Sequence, residues 1–427
     1  LGDSLCVDDY GIDSAYKNAT AMISRMLPNA LAGANYAPVS CRMGANYSCM
    51  AYLPETFKWI RAFRAGTFSL PFTEDYMWQQ PPGSQQMYTQ VIDVERAAVR
   101  TAKPASDASD ALSPSAVAVA PLKAVPATAT VADRPIMQYM MAHFPGNTPR
   151  SWRRQFMGDL AHGVKYIHLY VFAPSFSSPA NDYADGDGGI YQEVLKSTHE
   201  LGQWDDILGA GKVHAAGVKA AMLFSETGDI FLDSYGTAGA AKRSLYVTLS
   251  HSQLPIDVVT EEDLIDGTIN QYALLFVPHR YVNDAASAAV SKWVNSGGTV
   301  VSTVNGGTRN QVNGTNGAFL TLLGLSEPPQ AYVGTRSGVE ARIDYVKQDL
   351  AFAEILDTAS LSSSVSDAET AAASNLTVVG EKAIFKAPAD ATVLARFGSD
   401  QSAAAYLLLS LCLCLCLCLC LCLCLCL

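Results

Sequence analysis

Along residues 1–211, apolar runs of strand length alternate with apolar stripes of helical period. Arg134–Met141 is a strand-like run, and Thr148-Pro149 predicts a helix start, with Thr as N-cap and Pro at the first helical position. Trp152, Phe156 and Leu160 then recur at i, i+4 and i+8, Gly163 ends the helix, and Val164–Phe172 is the next strand. Upstream, Ala15, Ala19, Met22, Ile23 and Met26 mark a helix that leads past Pro28 into the strand-like Ala30–Tyr36. Pro54 opens a helix carrying Phe57, Ile60 and Phe63, which stops at Gly66 before the strand-like Thr67–Thr73. Strands separated by helices of this length predict a parallel sheet or barrel, whose functional groups gather in the loops after the strands. The loop 142–147 stands in such a position.

Two stretches interrupt this pattern. Thr101–Ala132 is Ala, Pro, Ser and Val with almost no aromatic residue and keeps no period, which reads as a disordered insertion or an unremoved intron. Asn181–Gly189 is Asp-rich but lacks the EF-hand spacing, so it reads as a solvated loop rather than a calcium site. A helix with Ile190, Val194, Leu195, Thr198 and Leu201 follows. A second α/β domain starts near Lys212, with strands Val218–Phe224, Ile256–Val259, Tyr272–Val277 and Thr299–Thr303 and helices around 238–250 and 285–295. Residues 327–406 form a poorly defined β-rich segment in which Ala391–Phe397 is the clearest strand. Residues 407–427 are a low-complexity Leu-Cys tail, read as a translated repeat, with a membrane anchor as the rival reading.

Composition narrows the function classes. Charged residues make up 16% against 49% hydrophobic, and the net charge is −11 with no basic run, so the chain is globular and no nucleic-acid partner is expected. Of 11 cysteines, only Cys6, Cys41 and Cys49 lie outside the Leu-Cys tail. They lack metal-ligand spacing; Cys41 and Cys49 are read as free thiols, with a bridge between them as the alternative. The chain begins at Leu1 without a charged-then-apolar leader and is read as a fragment, which leaves its localisation unknown. Asn18, Asn46, Asn313 and Asn375 each open an Asn-x-Ser/Thr triplet, which permits glycosylation without requiring it.

Met141-Ala142-His143-Phe144-Pro145-Gly146-Asn147, followed by Trp152, resembles the seventh-strand motif of the β-galactosidase-like glycoside hydrolases of family 42. The resemblance implies an α/β chain: over 1–211 the last four strands of a (β/α)8 TIM barrel, then over 212–326 a flavodoxin-like, glutamine-amidotransferase-like domain that serves trimer formation in that family. It also implies that Ala142 stands where the family has its nucleophilic Glu. Leu1–Ser4 is similar, over very few residues, to the segment ending the fourth strand, and Ser4 then stands at the acid/base position. With no Cys between Cys49 and Cys412, the amidotransferase nucleophile is missing.

Glycoside hydrolysis generally uses two carboxyl groups, roughly 5–5.5 Å apart for retention and wider for inversion. Glu74 and Asp75, in a segment similar to the family's Asp-Asn-Tyr site, are the candidate catalytic residues. Neighbouring side chains on an extended segment point to opposite faces, so only one of the two faces the barrel axis. The candidate substrate-binding residues are Asn35, Tyr76, Trp78, His143, Asn147 and Trp152, the aromatic ones as stacking platforms for sugar faces. Trp152 also reads as core, because it shares a stripe with Phe156. At least one of Arg153 and Arg154, in the first turn of a helix, is expected to pair with Asp159 or Glu74. No metal and no cofactor is expected. The partners expected are a carbohydrate substrate or ligand and, for the full-length protein, a homotrimer, with no membrane unless the Leu-Cys tail is real. The resulting reading is a truncated β-galactosidase-like protein that is inactive as it stands; the alternative is a non-catalytic carbohydrate-binding or oligomer-forming relative.

Overall fold

A computed structural model describes residues 2–36, 56–74, 87–100, 135–140, 142, 148–169, 189–210, 217–231, 236–303, 305–333, 355–361, 375–379, 381–384, 386, 388–397, 399, 403–409 and 413–417. They divide into two compact units. The first takes those within Leu1–Cys41, Glu55–Gln80 and Val91–His214; the second takes those within Pro81–Gln90 and Ala215–Leu427. The insertion at 101–132 and the Asp-rich segment 181–187 lie outside the described residues.

The first unit carries α1 (Gly2–Met26), β1 (Asn35–Tyr36), α2 (Thr56–Arg64), β2 (Phe72–Glu74), α3 (Met87–Arg100) from Val91 onward, β3 (Ile136–Met140), α4 (Pro149–Ala161), β4 (Val164–Leu169) and α5 (Ile190–Ala210). Its four strands form one sheet in the order β1-β2-β3-β4, every neighbour parallel. The runs Ala30–Tyr36 and Thr67–Thr73 form ladder only at their ends. Pro71 has no N–H to give, and a Cβ at Gly33 would lie 2.3 Å from the Leu70 carbonyl oxygen, so the two segments touch too closely there for a side chain. Helix α4 starts as its sequence dictates: Thr148 Oγ1 accepts the Ser151 N–H at 3.1 Å, and Gly163, with φ 97°, lets the chain leave. Its apolar stripe joins Met140, Ala142, Trp152, Phe156, Ile190 and Val194 in one buried cluster.

Gly2–Ser4 belong to α1, so no strand ends at Ser4, and the similarity drawn there to an acid/base strand is overturned.

In the second unit, β5 (Ala220–Phe224), β6 (Ile256–Thr260), β7 (Leu274–Val277) and β8 (Thr299–Thr303) lie in the order β6-β5-β7-β8, all parallel. Among the described residues four α-helices and the 3-10 helix Thr268–Gln271 separate them, the α-helices being α6 (Glu226–Ile230), α7 (Gly236–His251), α8 (Glu261–Ile265) and α9 (Asp284–Asn295). All five residues of β5 are buried, as befits a central strand covered on both faces. After α10 (Gly317–Leu322) come β9 (Gln330–Val333), β10 (Ile355–Leu361), β11 (Asn375–Val379), β12 (Glu381–Ile384), β13 (Thr392–Phe397), β14 (Ala403–Leu409) and β15 (Leu413–Leu417). The Leu-Cys stretch therefore contributes a strand rather than only a tail. β15 sits between β14, to which it is antiparallel, and β8, to which it is parallel, and so joins the two halves of a nine-stranded sheet. Among the described residues no helix is long and apolar enough to cross a membrane.

Candidate functional site

Parallel register brings the C-terminal ends of the first unit's strands to one end of their sheet. Asn35 pairs with Phe72, Tyr36 with Thr73, and Glu74 with Tyr139, so the backbones of Asn35 and Glu74 arrive together with the end of β3. Asp75, Tyr76, Trp78, His143 and Asn147 lie outside the described residues.

The two faces of this sheet differ. On one, Phe72 meets Tyr139 edge-on with ring centroids 5.2 Å apart, and Tyr139 meets His168 at 4.6 Å. His168 and Tyr166 on β4 are exposed, so this aromatic row opens to solvent at its β4 end, while Phe72 is buried. The other face turns to the helices. There Thr73 Oγ1 donates to Gln138 Oε1 at 3.2 Å, and Met140 and Ile167 pack on α4 and α5.

Ala142 is 6% exposed, its methyl held among Trp152, Phe156, Ile190 and Val194. Trp152 is corrected as a sugar platform. It is 0% exposed and stacks on Phe156 at 5.1 Å, so neither ring face is free for a ligand. Arg153 donates to Glu193 at 3.2 Å and to Glu200 at 2.5 Å, linking α4 to α5. The Glu200 hydrogen bond leads the effects that raise the Arg153 pKa. His162 caps α4, and its Nδ1 lies 2.8 Å from Asp93 on α3, which also pairs with Arg96 at 3.1 Å.

Sequence reasoning missed Glu95. It lies on α3 at 0% exposure, and neither carboxyl oxygen has a hydrogen-bond partner among the described residues. Burial holds this carboxyl well above the usual range. The Thr73 hydroxyl, already committed to Gln138, offsets only part of that. The signal available was a Glu inside the apolar run Val91-Ile92-Asp93-Val94-Glu95, but spacing alone does not say which polar residue turns inward.

In the second unit the chain order reverses between β5 and β7, the place where α/β sheets commonly open a crevice beyond the strand ends. Here Glu261 bridges the connections that follow three strands. It accepts the Thr227 N–H at 2.9 Å, the Thr227 hydroxyl at 2.8 Å and the Asn283 N–H at 2.7 Å. Burial raises its pKa, and these donors pull it partway back. Buried His279 lies edge-on to Phe224 at 5.4 Å, and a Cβ at Gly228 would stand 2.9 Å from its Nδ1. The groups gathered here hold one another. Among the described residues no group of three or more His, Cys, Asp or Glu forms a metal-holding set.

No protein-family model and no curated protein matches the sequence. Solved structures do resemble the fold. A β-galactosidase from Bacillus circulans sp. alkalophilus superposes with a TM-score of 0.62 at 13% identity, over 96% of this chain and 54% of that one. Gan42B, a GH42 β-galactosidase from G. stearothermophilus, gives 0.63 at 14%, over 95% and 53%. The β-galactosidase of the Antarctic haloarchaeon Halorubrum lacusprofundi gives 0.63 at 12%, over 96% and 54%. This chain thus spans about half the length of these proteins. Its mixed α/β fold with parallel sheets is similar to that of TIM-barrel glycosidases.

Proposed function

We propose that this chain is part of a β-galactosidase-like protein that binds β-galactoside-like sugars without hydrolysing them. In this reading β1 to β4 are the last four strands of a (β/α)8 barrel spanning residues 1–211, and residues 212–326 are a flavodoxin-like domain through which the full-length protein self-associates as a trimer. The β-rich segment 327–406 and the Leu-Cys stretch 407–427 complete the chain.

The observation that carries the proposal is the all-parallel order β1-β2-β3-β4 with intervening helices, together with superposition on GH42 β-galactosidase structures over nearly the whole chain. The order β6-β5-β7-β8 supports the flavodoxin-like reading, since that fold runs second, first, third, fourth. Absence of catalysis rests on Ala142. A methyl group cannot form the covalent glycosyl intermediate, and this one is packed into an apolar cluster. Glu74 or Asp75, with Asn35, Tyr76, Trp78, His143 and Asn147, would then hold the sugar by hydrogen bonds and ring stacking.

The test is calorimetric titration of the full-length protein with lactose and galactose, beside an assay on aryl β-galactosides. Saturable binding weakened by Glu74→Gln or Asp75→Asn, without turnover, is expected. Robust turnover that survives both substitutions would show the site to lie elsewhere. Absence of sugar binding, with trimers seen by sedimentation, would favour a purely oligomer-forming relative.

A further inference from the structure

We infer that Asn313 is an N-glycan acceptor, the one among the four Asn-x-Ser/Thr triplets that the described fold presents in a solvent loop. The inference does not depend on sugar binding by the first unit. Asn313-Gly314-Thr315 occupies the loop between β8 and α10. An antiparallel bridge pairs Arg309 with Thr315 at the base of this loop, and Val312 at its tip is 75% exposed. Asn313 and Thr315 are themselves exposed.

What shapes the loop is Asn310. Its Oδ1 accepts the Gly314 N–H at 2.8 Å and the Val312 N–H at 3.3 Å, while its own N–H donates to the Gly314 carbonyl at 3.0 Å. Asn313 takes part only through its backbone, donating to the Asn310 carbonyl at 3.0 Å and accepting from Arg309 Nη1 at 3.5 Å. Its φ of 58° is left-handed, a region that Asn tolerates better than most residues. The side-chain amide makes no hydrogen bond among the described residues, so a bulky substituent on Nδ2 displaces nothing.

The other triplets differ. Asn18 lies inside α1, Asn375 is the first residue of β11 and is paired with Ser360 of β10, and Asn46 lies outside the described residues.

The donor required is a polyprenyl-pyrophosphate-linked oligosaccharide. Nδ2 bonds to C1 of the first sugar, the C1–oxygen bond to pyrophosphate breaks, the polyprenyl pyrophosphate leaves as an anion, and one Nδ2 proton passes to a base. The product is a solubilising surface group.

The full chain, expressed behind a cleavable leader in a eukaryotic host, should carry a glycan at Asn313. The readout is the 313 peptide from the whole-cell pool, deglycosylated by peptide N-glycanase in heavy-oxygen water, which marks an occupied Asn as labelled Asp. Asn313→Gln and Thr315→Ala should each abolish that mark, and Thr315→Ser should keep it. An unmarked Asn313, or a mark confined to insoluble chain, would overturn the inference.

Discussion

Glu261 accepts the backbone N–H of Asn283 at 2.7 Å, a bond that ties the start of α8 to the start of α9. Its other oxygen takes both the N–H and the hydroxyl of Thr227. Both oxygens therefore act as acceptors, and neither has room for a donor. Glu261→Gln must turn an amide N–H2 against one of these N–H groups, and should cost about 1–3 kcal/mol, the scale of an unsatisfied buried group. Urea unfolding at neutral pH, with exposed Glu262→Gln as the control, measures it. Equal midpoints for the two variants would contradict this bonding pattern.

Glu95 gives a pH dependence of definite sign. Its folded pKa is raised by burial, so the folded state holds the proton more tightly than the unfolded chain does. Its contribution to stability is complete below the unfolded carboxylate pKa and is lost as pH rises towards the folded value, at up to about 1.4 kcal/mol per pH unit. Glu95→Gln removes the titration. The stability difference between Glu95→Gln and the parent should therefore shift in favour of the variant as pH is raised from 5 to about 8. A constant difference across that range would show that Glu95 is not desolvated.

Ala142→Glu is expected not to create a hydrolase. The new carboxylate would enter the cluster of Trp152, Phe156, Ile190 and Val194, where an unpaired charge costs several kcal/mol. Lower yield and a lower denaturant midpoint, without turnover of aryl β-galactosides, is the expected result. Turnover in this variant would mean that the position reaches the sugar after all.

Trp152→Ala should lower stability by about 3–5 kcal/mol, as large-to-small changes in packed cores do. Trp152→Phe, which keeps a ring against Phe156, should cost clearly less. At temperatures where it stays folded, Trp152→Phe should bind sugar as the parent does, and a selective loss of affinity would return Trp152 to the site.

What was legible in the sequence was local. The Thr148-Pro149 start and Gly163 stop of α4 need only neighbours in the chain to work, and the shared stripe of Trp152 and Phe156 already placed both in a core. The four strands of the second unit were legible because a buried parallel strand is an unbroken apolar run, as in Ala220–Phe224. The buried carboxylates were not. Glu95 and Glu261 look like any other helix Glu until α3 closes over the sheet, or until Thr227 and Asn283 arrive from distant parts of the chain. Ser4 was misread because so short a stretch fits a strand end or a helix start equally well. Asp159 and Glu74 were the partners expected for the arginines at the start of α4, while those of Arg153, Glu193 and Glu200, come from the next helix.

The position of β15 has a consequence for the order of folding. β8 follows β7 closely in the chain, but its other neighbour, β15, is synthesised long afterwards. Until then the outer edge of a Val-rich strand stands unpaired, the kind of edge that recruits other chains. During synthesis the second unit is thus most vulnerable at Thr299–Thr303, and the last strand described works as an edge cover, shielding the parallel core from its neighbours in the cell.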